Sequence, residues 1–292
     1  MSPGVDPEIL KALGLQGQDT RIASHGGSGF SSTFKLSSTI DGQTTNYFVK
    51  TGTGQSAEVM FRGEHASLNA IHSAVPNFCP KAHAFGPMST ANRFFLVTDF
   101  LDLSGTAAPR GSGLSLAAKL AALHTAPAPV PDGHDKPMFG FPVSTCCGDT
   151  AQDNSWRSSW ADFYADNRLR GILRACVTNQ GNDAELSNTV EAVATKVVPR
   201  LIGDETVRNI KPVVIHGDLW SGNHSRGTIA GKDGSEEVVF DPSAVYGHSE
   251  YELGIMKMFG GFGSSFWKEY EELVPKAEPK EEWADRVSLY EL

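Results

Sequence analysis

Two short apolar runs in the second half of the chain each end in an aspartate. KPVVIHGDLWSGN (211–223) leads into a polar loop carrying Asp218 and, five residues on, Asn223. A carboxylate in such a loop can accept or orient a hydroxyl proton, and a neutral amide oxygen five residues later can ligate a hard cation. D-x-x-x-x-N is the spacing with which phosphotransferases of the protein-kinase type do both. The same residues equally suit an Asx-rich turn whose side chains bond only local backbone. In EEVVFDPSAVYGH, Asp241 closes a second apolar run and a loop follows it. A small hairpin between the runs would return Asp241 to Asn223, where a carboxylate can bridge metal and nucleotide phosphates. An ordinary Asp-Pro turn is the alternative.

A second group lies near the start. NYFVK puts Lys50 at the end of an apolar strand, ahead of a segment in which Ala57, Phe61, Glu64, Leu68 and Ile71 recur on one helical face. Glu64 thus sits inside an apolar stripe, where an inward carboxylate is costly without a cation. Lys50 is the natural partner, and such a pair aims an ammonium at the α- and β-phosphates of a nucleotide. A surface lysine beside a solvent-facing glutamate is the other reading. In HGGSGFSSTF (25–34), Gly27 and Gly29 allow close backbone approach to phosphates, although Ser32 replaces the third glycine of G-x-G-x-x-G. FFLVTDFLDL (94–103) reads as a connector whose backbone holds an adenine edge, with Asp99, Phe100 and Leu101 nearest, or as a plain core strand. The substrate residues are Trp220, which would wall a sugar-sized pocket, and His216, which braces the loop rather than acting as a base. Trp156, Trp160, Phe163 and Tyr164 read as core.

These residues need elements to position them. Asp6, Pro7 and Gly14 bound a short first helix, after which the texture is strand-like to Lys50, with a turn at Asp41-Gly42. A helix follows over 57–74 and an apolar strand over 91–100. Helical patterns then dominate at 114–124, 156–178, 183–201 and from Ser249 onward. The Pro-rich run PAPVPDG and the stretch up to Asn154 read as a surface connection with little regular structure. The organisation is a β-rich nucleotide-binding lobe (1–102), a connector near 99–105, and a helical catalytic and substrate lobe (103–292).

Composition narrows the partners. The 292 residues, 40% hydrophobic and 20% charged, suffice for a real core. With Lys+Arg 25 against Asp+Glu 34, the net charge of −9 leaves no general cationic face for nucleic acid or an anionic membrane. An anionic ligand must be held by a local device. MSPGVDPEIL lacks the runs of a signal peptide, and no apolar stretch approaches the ~20 residues of a spanning helix, which points to the cytoplasm. Cys79, Cys146, Cys147 and Cys176 form no C-x-x-C pair and read as inert thiols.

HGDLWSGN (216–223), FDPSAVYGHSEYELGI (240–255) and MFGGFGSSFWKEY (258–270) resemble the signature of the fructosamine-3-kinase / ketosamine-3-kinase family, including its protein-ribulosamine 3-kinase branch. FVK (48–50), FRGEHASLNAI (61–71), FGF (139–141), GDTAQDNSW (148–156) and FYADNRL (163–169) extend the match, from about Gly17 to Leu292. The resemblance implies an α+β, protein-kinase-like (aminoglycoside-phosphotransferase-like) two-lobed fold that uses ATP and Mg2+. It makes Asp218 the proton acceptor, puts Asn223 and Asp241 on Mg2+, and has Lys50 with Glu64 position ATP. The reaction implied is phosphorylation of the 3-hydroxyl of ketosamines on protein amines, whose product falls apart and frees the amine. Two departures stand out. The glycine loop has no cysteine, so loop-disulfide control does not carry over, and SLYEL falls where relatives continue into a further helical segment, which implies lower activity or different selectivity if that segment helps wall the sugar site. Competing readings are a choline-, aminoglycoside- or sugar-type phosphotransferase and a binding-only pseudokinase. The W-S-G insert and YGHSEYELGI speak against the first, and the presence of all five polar residues against the second.

Overall fold

Asp6 starts the first helix, α1 (Pro7–Leu13), by accepting the Glu8 N–H at 3.0 Å, and the same carboxylate takes the Ser89 hydroxyl at 2.6 Å. The computed structural model describes residues 4–27, 31–103, 113–208, 210–230, 232 and 234–292. The strand-like texture that follows forms β1 (Thr20–Gly27), β2 (Ser32–Ile40) and β3 (Gln43–Thr53), the last two joined at Asp41-Gly42, where both φ angles are positive (51° and 78°). After α2 (Gly54–Ala74), β4 (Ala82–Pro87) and β5 (Arg93–Asp99) complete an antiparallel sheet in the order β1-β2-β3-β5-β4. The stripe read from the sequence is buried along its whole length, Glu64 included, and lays α2 against this sheet.

β6 (Leu101–Asp102) leaves the first sheet and pairs with a strand of the second half. That half runs through α3 (Leu116–Thr125), a small hairpin of β7 (Thr145–Cys147) and β8 (Thr150–Gln152), then α4 (Trp160–Phe163), a π-helical turn and α5 (Arg170–Gln180). α6 (Ala184–Ala192) continues through a second π-helical turn into α7 (Val198–Ile202). β9 (Val213–Ile215), β10 (His224–Ile229), β11 (Glu236–Val239) and β12 (Val245–Gly247) precede α8 (Ser249–Phe259), α9 (Ser264–Leu273) and α10 (Trp283–Tyr290). β10 and β11 form the expected hairpin, with β6 on its outer edge. Lys119 of α3, almost fully buried, anchors that hairpin through Glu236 Oε2 and Glu237 O, both at 2.9 Å.

Three elements differ from the sequence reading. Helix α4 begins at Trp160, not at 156, because Trp156 stacks on Tyr246 and Arg157 bridges Phe139, which leaves Ser159 as the cap. The β7–β8 hairpin lies inside the stretch read as irregular. It packs so closely on α2 that a Cβ at Gly63 would stand 2.7 Å from the Ser144 carbonyl oxygen. Finally, AVYGH contains β12, which pairs with β9 and holds the chain beneath the Asp218 loop. Trp160, Phe163 and Tyr164 are core, as read.

Under α8, Arg286 is completely buried, its guanidinium on Glu250 Oε2 at 2.7 Å and Oε1 at 3.1 Å and on the carbonyls of Ala277 and Pro279. Removing one partner strands a buried charge. Arg286→Ala is therefore expected to cost about 3–5 kcal/mol, a loss measurable by urea unfolding, whereas Arg286→Met with Glu250→Leu costs less. Nearby, burial pulls the His248 imidazole down to a pKa of about 4, with its Nδ1 3.0 Å from the Tyr290 hydroxyl. The unfolded chain takes up this proton near pH 6.5 and the folded chain only near pH 4, so stability falls as pH drops through that window. His248→Asn should shrink the difference in unfolding free energy between pH 7 and pH 5 by about 2 kcal/mol.

Candidate active site

Lys50 sits in the middle strand of the first sheet, paired with Thr33 on one side and Leu96 on the other. Its ammonium meets Glu64 Oε1 and Oε2 at 2.8 and 3.0 Å, the pair foreseen from the stripe on α2. A second carboxylate arrives from the other half of the molecule: Asp241 Oδ1 lies 2.6 Å from the same nitrogen. Burial alone would lower the lysine pKa, but the two carboxylates override it and hold the ammonium above its ordinary value. Burial raises the Glu64 carboxyl while Lys50 pulls it back toward ionisation, so the proton stays on the lysine.

Asp241 is delivered by the hairpin. The Phe240 N–H donates to the Asn223 carbonyl at 3.1 Å, which fixes the open end of β10–β11 so that Asn223 and Asp241 emerge side by side. Asp241 has φ 55°, a left-handed turn that aspartate tolerates and that sends its carboxylate toward Lys50 instead of along the strand. The Asn223 amide nitrogen donates to Asp218 O at 2.8 Å and Oδ2 at 3.1 Å. That turns its Oδ1 away from Asp218. A hard cation with phosphate ligands needs one or two such protein oxygens, and Asn223 with Asp241 suits Mg2+ on those terms.

Asp218 is partly buried, and burial, followed by the charge of Glu252, lifts its pKa to about 7 against the opposing bond from Asn223. A carboxylate poised there is matched to accepting a proton near neutrality. The loop beneath it is rigidly tied. Glu252 of α8 accepts the N–H of His216 and, at 3.0 Å, that of Gly217. His216 is fully buried. Its Nε2 lies 3.0 Å from Phe240 O and its Nδ1 accepts the Asp218 N–H at 3.3 Å, while burial lowers its pKa and keeps it neutral. His216 is therefore removed from the substrate-contacting residues: both ring nitrogens are engaged and no face is open. Its bracing role stands.

Between the sheet and the hairpin lies a cavity of about 320 Å³, walled by Gly27, Lys50, Glu64, Asp99, Leu101 and Asp241 among others. Phe100 is not in that wall. Its N–H bonds Asn46 O, its carbonyl takes the Ala230 N–H, and its ring packs on His25 with Lys35 above it, so it has no group to offer an adenine. Because Ala230 bonds Phe100, the alternation of an antiparallel ladder turns the N–H and C=O of Leu101 away from β10. Asp99 is held by its side chain, which accepts the Lys81 N–H at 3.0 Å and lies 2.7 Å from His83 Nε2. Gly29 falls outside the described residues. Trp220 is 39% exposed and rests on Phe259, ring centroids 5.8 Å apart, with Met258 and Phe259 also exposed.

Sequence reasoning missed Glu252, His25, Phe48 and Phe240, the last three also in the cavity wall. Glu252 was legible by the rule that found Glu64, an acid among buried Leu253, Gly254 and Met256, but its place in a first helical turn read as ordinary helix-end charge. Lys50→Met leaves two carboxylates facing each other across the cleft. The expected result is loss of the Mg·ATP-induced rise in melting temperature and at least tenfold weaker nucleotide binding by calorimetry, not restored by Lys50→Arg.

The family model for fructosamine kinase matches residues 10–292. The protein-ribulosamine 3-kinase of Arabidopsis thaliana, a chloroplastic enzyme, is 32% identical over 97% of this chain and 79% of its own. The Mus musculus ketosamine-3-kinase is 33% identical over 98% of this chain and 91% of its own. A solved structure from Thermobifida fusca, described as a candidate fructosamine-3-kinase, superposes with TM-score 0.70 at 26% identity, covering 99% of this chain and 90% of that one. The choline kinase of Cryptosporidium parvum, at TM-score 0.51 and 12% identity, covering 94% of this chain and 80% of its own, shares the fold alone. The two-lobed, protein-kinase-like architecture with a β-sheet first half is thus common to phosphotransferases of several kinds, and among them this chain belongs to the fructosamine kinase family.

Proposed function

We propose that this phosphotransferase transfers the γ-phosphoryl group of ATP to the 3-hydroxyl of ketosamines, ribulosamine or fructosamine adducts on protein amines or their small-molecule counterparts, and so promotes deglycation. The observation that supports this most is that Asp241 meets the Lys50–Glu64 pair in the cavity wall while the adjoining Phe240 is bonded to Asn223, whose amide in turn holds Asp218. Lys50, fixed by Glu64, meets the α- and β-phosphates. Leu101, with its N–H and C=O turned out of the ladder, lies along the adenine edge, Asp99 only walls that end because its N–H goes to Lys81 O and its carbonyl takes the Thr98 hydroxyl, and Gly27 lets the backbone come close to the phosphates. Asp218 aligns the sugar hydroxyl and accepts its proton as the new O–P bond forms and ADP leaves. Mg2+, held by Asn223 and Asp241, would offset charge on the phosphate oxygens. The half-exposed Trp220 with Phe259 offers an apolar wall for the sugar ring and its linker.

A binding-only role is not favoured, because all five polar groups are present and assembled. Four unpaired cysteines suit the reducing cytoplasm. Among the described residues no helix is long and apolar enough to cross a membrane. The test is incubation with Mg·ATP and ribulosyl-lysine, fructosyl-lysine, choline and kanamycin, with product located by mass spectrometry and phosphorus NMR. Phosphate is expected at the 3-position of the ketosamines only; transfer to choline or kanamycin alone would refute the assignment. Asp218→Asn is expected to lower kcat by ~10²–10⁴ while the Mg·ATP thermal shift persists.

A further inference from the structure

We propose that a second cavity, between α5, α6 and the end of α10, is a binding site for a small aliphatic monocarboxylate, held at its base by Arg168 and Tyr251. It is separate from the cleft around Lys50 and Asp241, with which it shares no wall residue. Its volume is about 280 Å³, room for about nine groups the size of a water molecule. Leu169, Leu173, Val190 and Val193 give it aliphatic walls. Ile172 and Leu186, both half-exposed, stand at its rim and mark a way in.

Arg168 makes this more than an apolar gap. Among the described residues it is the one charged side chain in the wall. It is 2% exposed, and its partners are neutral: Nη1 donates to Asp153 O at 2.9 Å, Nη2 donates to Asn154 Oδ1 at 2.8 Å, and the guanidinium lies 4.6 Å from the Phe163 ring centroid. Arg157 and Arg170 each take an oxygen of Asp166, at 3.3 and 2.7 Å, whereas Arg168, among the described residues, has no carboxylate partner. Its Nε is buried and finds no acceptor. A buried cation without an anion is costly, and a buried donor without an acceptor adds to that cost. Clamping residues 153 and 154 accounts for the terminal nitrogens. It leaves the charge and the Nε N–H unanswered.

Tyr251 of α8 completes the head-group site. Burial raises its phenol pKa, and the Arg168 guanidinium, close enough to hydrogen-bond the phenol oxygen, opposes that rise. The phenol proton is then available to a ligand. A carboxylate brings one oxygen to the Nε N–H, the other to the phenol, and the missing negative charge. A phosphate dianion would carry more oxygens than these two donors can satisfy. The walls above the base require an aliphatic body.

The probe is octanoate, titrated by calorimetry into the full chain, with octanol and octylamine alongside. Octanoate should bind with a Kd of about 100 µM or tighter and raise the melting temperature. Octanol should bind at least tenfold more weakly, and octylamine should not bind. Val190→Trp fills the apolar end and should abolish octanoate binding while the Mg·ATP thermal shift persists. Tyr251→Phe, which loses only the hydroxyl, should weaken octanoate about fivefold and leave octanol unchanged. In Arg168→Gln, octanoate should lose its advantage over octanol; should that variant fail to fold, the head-group series and Tyr251→Phe decide by themselves. Absence of saturable octanoate binding overturns the proposal. So does octanoate affinity that survives Val190→Trp, or octanol affinity equal to that of octanoate.

Discussion

One ammonium held between two carboxylates organises this molecule. Lys50 belongs to the first sheet, Glu64 to the helix packed on that sheet, and Asp241 to the exit of a hairpin in the other half. A buried lysine with one carboxylate would already be satisfied. The second carboxylate, more exposed than the first, makes the contact a bridge across the cleft, and gives the two halves a shared charge centre at the point where the proposed function puts the phosphates. Glu64 can occupy an apolar stripe only because this cation is there. Asp241 in turn accepts a left-handed turn to reach it. The fixed member is the Lys50–Glu64 pair, and the adjustable one is Asp241, whose exposure leaves it open to the cleft, where the proposed function puts a metal ion.

The acceptor side follows a different logic. Asp218 and Asn223 are held by backbone and side-chain hydrogen bonds within their own loop, and that loop is held from below by Glu252 and His216. Charge concentrates here. Burial, and with it the charges of Glu252 and Asp241, keeps the Asp218 carboxyl readier to hold a proton than that of a surface aspartate. The arrangement therefore couples position and basicity through the same residues: what orients the loop also sets how strongly Asp218 draws a proton.

The chemistry was more legible in the sequence than the scaffold. Lys50 and Glu64 could be paired because a charged residue inside an apolar helical stripe has one economical explanation, and Asn223 and Asp241 because two strands separated by a short polar stretch close on each other. Glu252 obeys the same rule as Glu64 yet escaped it, since acids in a first helical turn are common for unrelated electrostatic reasons. β12 and the β7–β8 hairpin escaped because strands of three residues carry no period. Their existence is decided by partners far away in sequence, β9 in one case and α2 in the other. Phe100 was misplaced for a related reason. A connector read in one dimension shows which segment borders the cleft, but only its pairing with β10 decides which residue of it lines the wall, and that residue is Leu101, not Phe100.

The two ends of the cleft also differ in how much they enclose. At the phosphate end, charged groups are paired and mostly buried, a setting that strengthens electrostatic contacts by excluding water. On the loop that carries Asp218, Trp220 is 39% exposed and rests on Phe259, which with Met258 is half or more exposed, an apolar rim where most proteins would place polar residues. A free sugar would be better served by a closed, hydrogen-bonding pocket. A sugar tethered to a lysine side chain has to enter from the surface of another protein, carrying an aliphatic linker with it. An open aromatic rim accommodates such a linker without enclosing what lies behind it, so the exposure of these three side chains supports the proposal of a tethered acceptor.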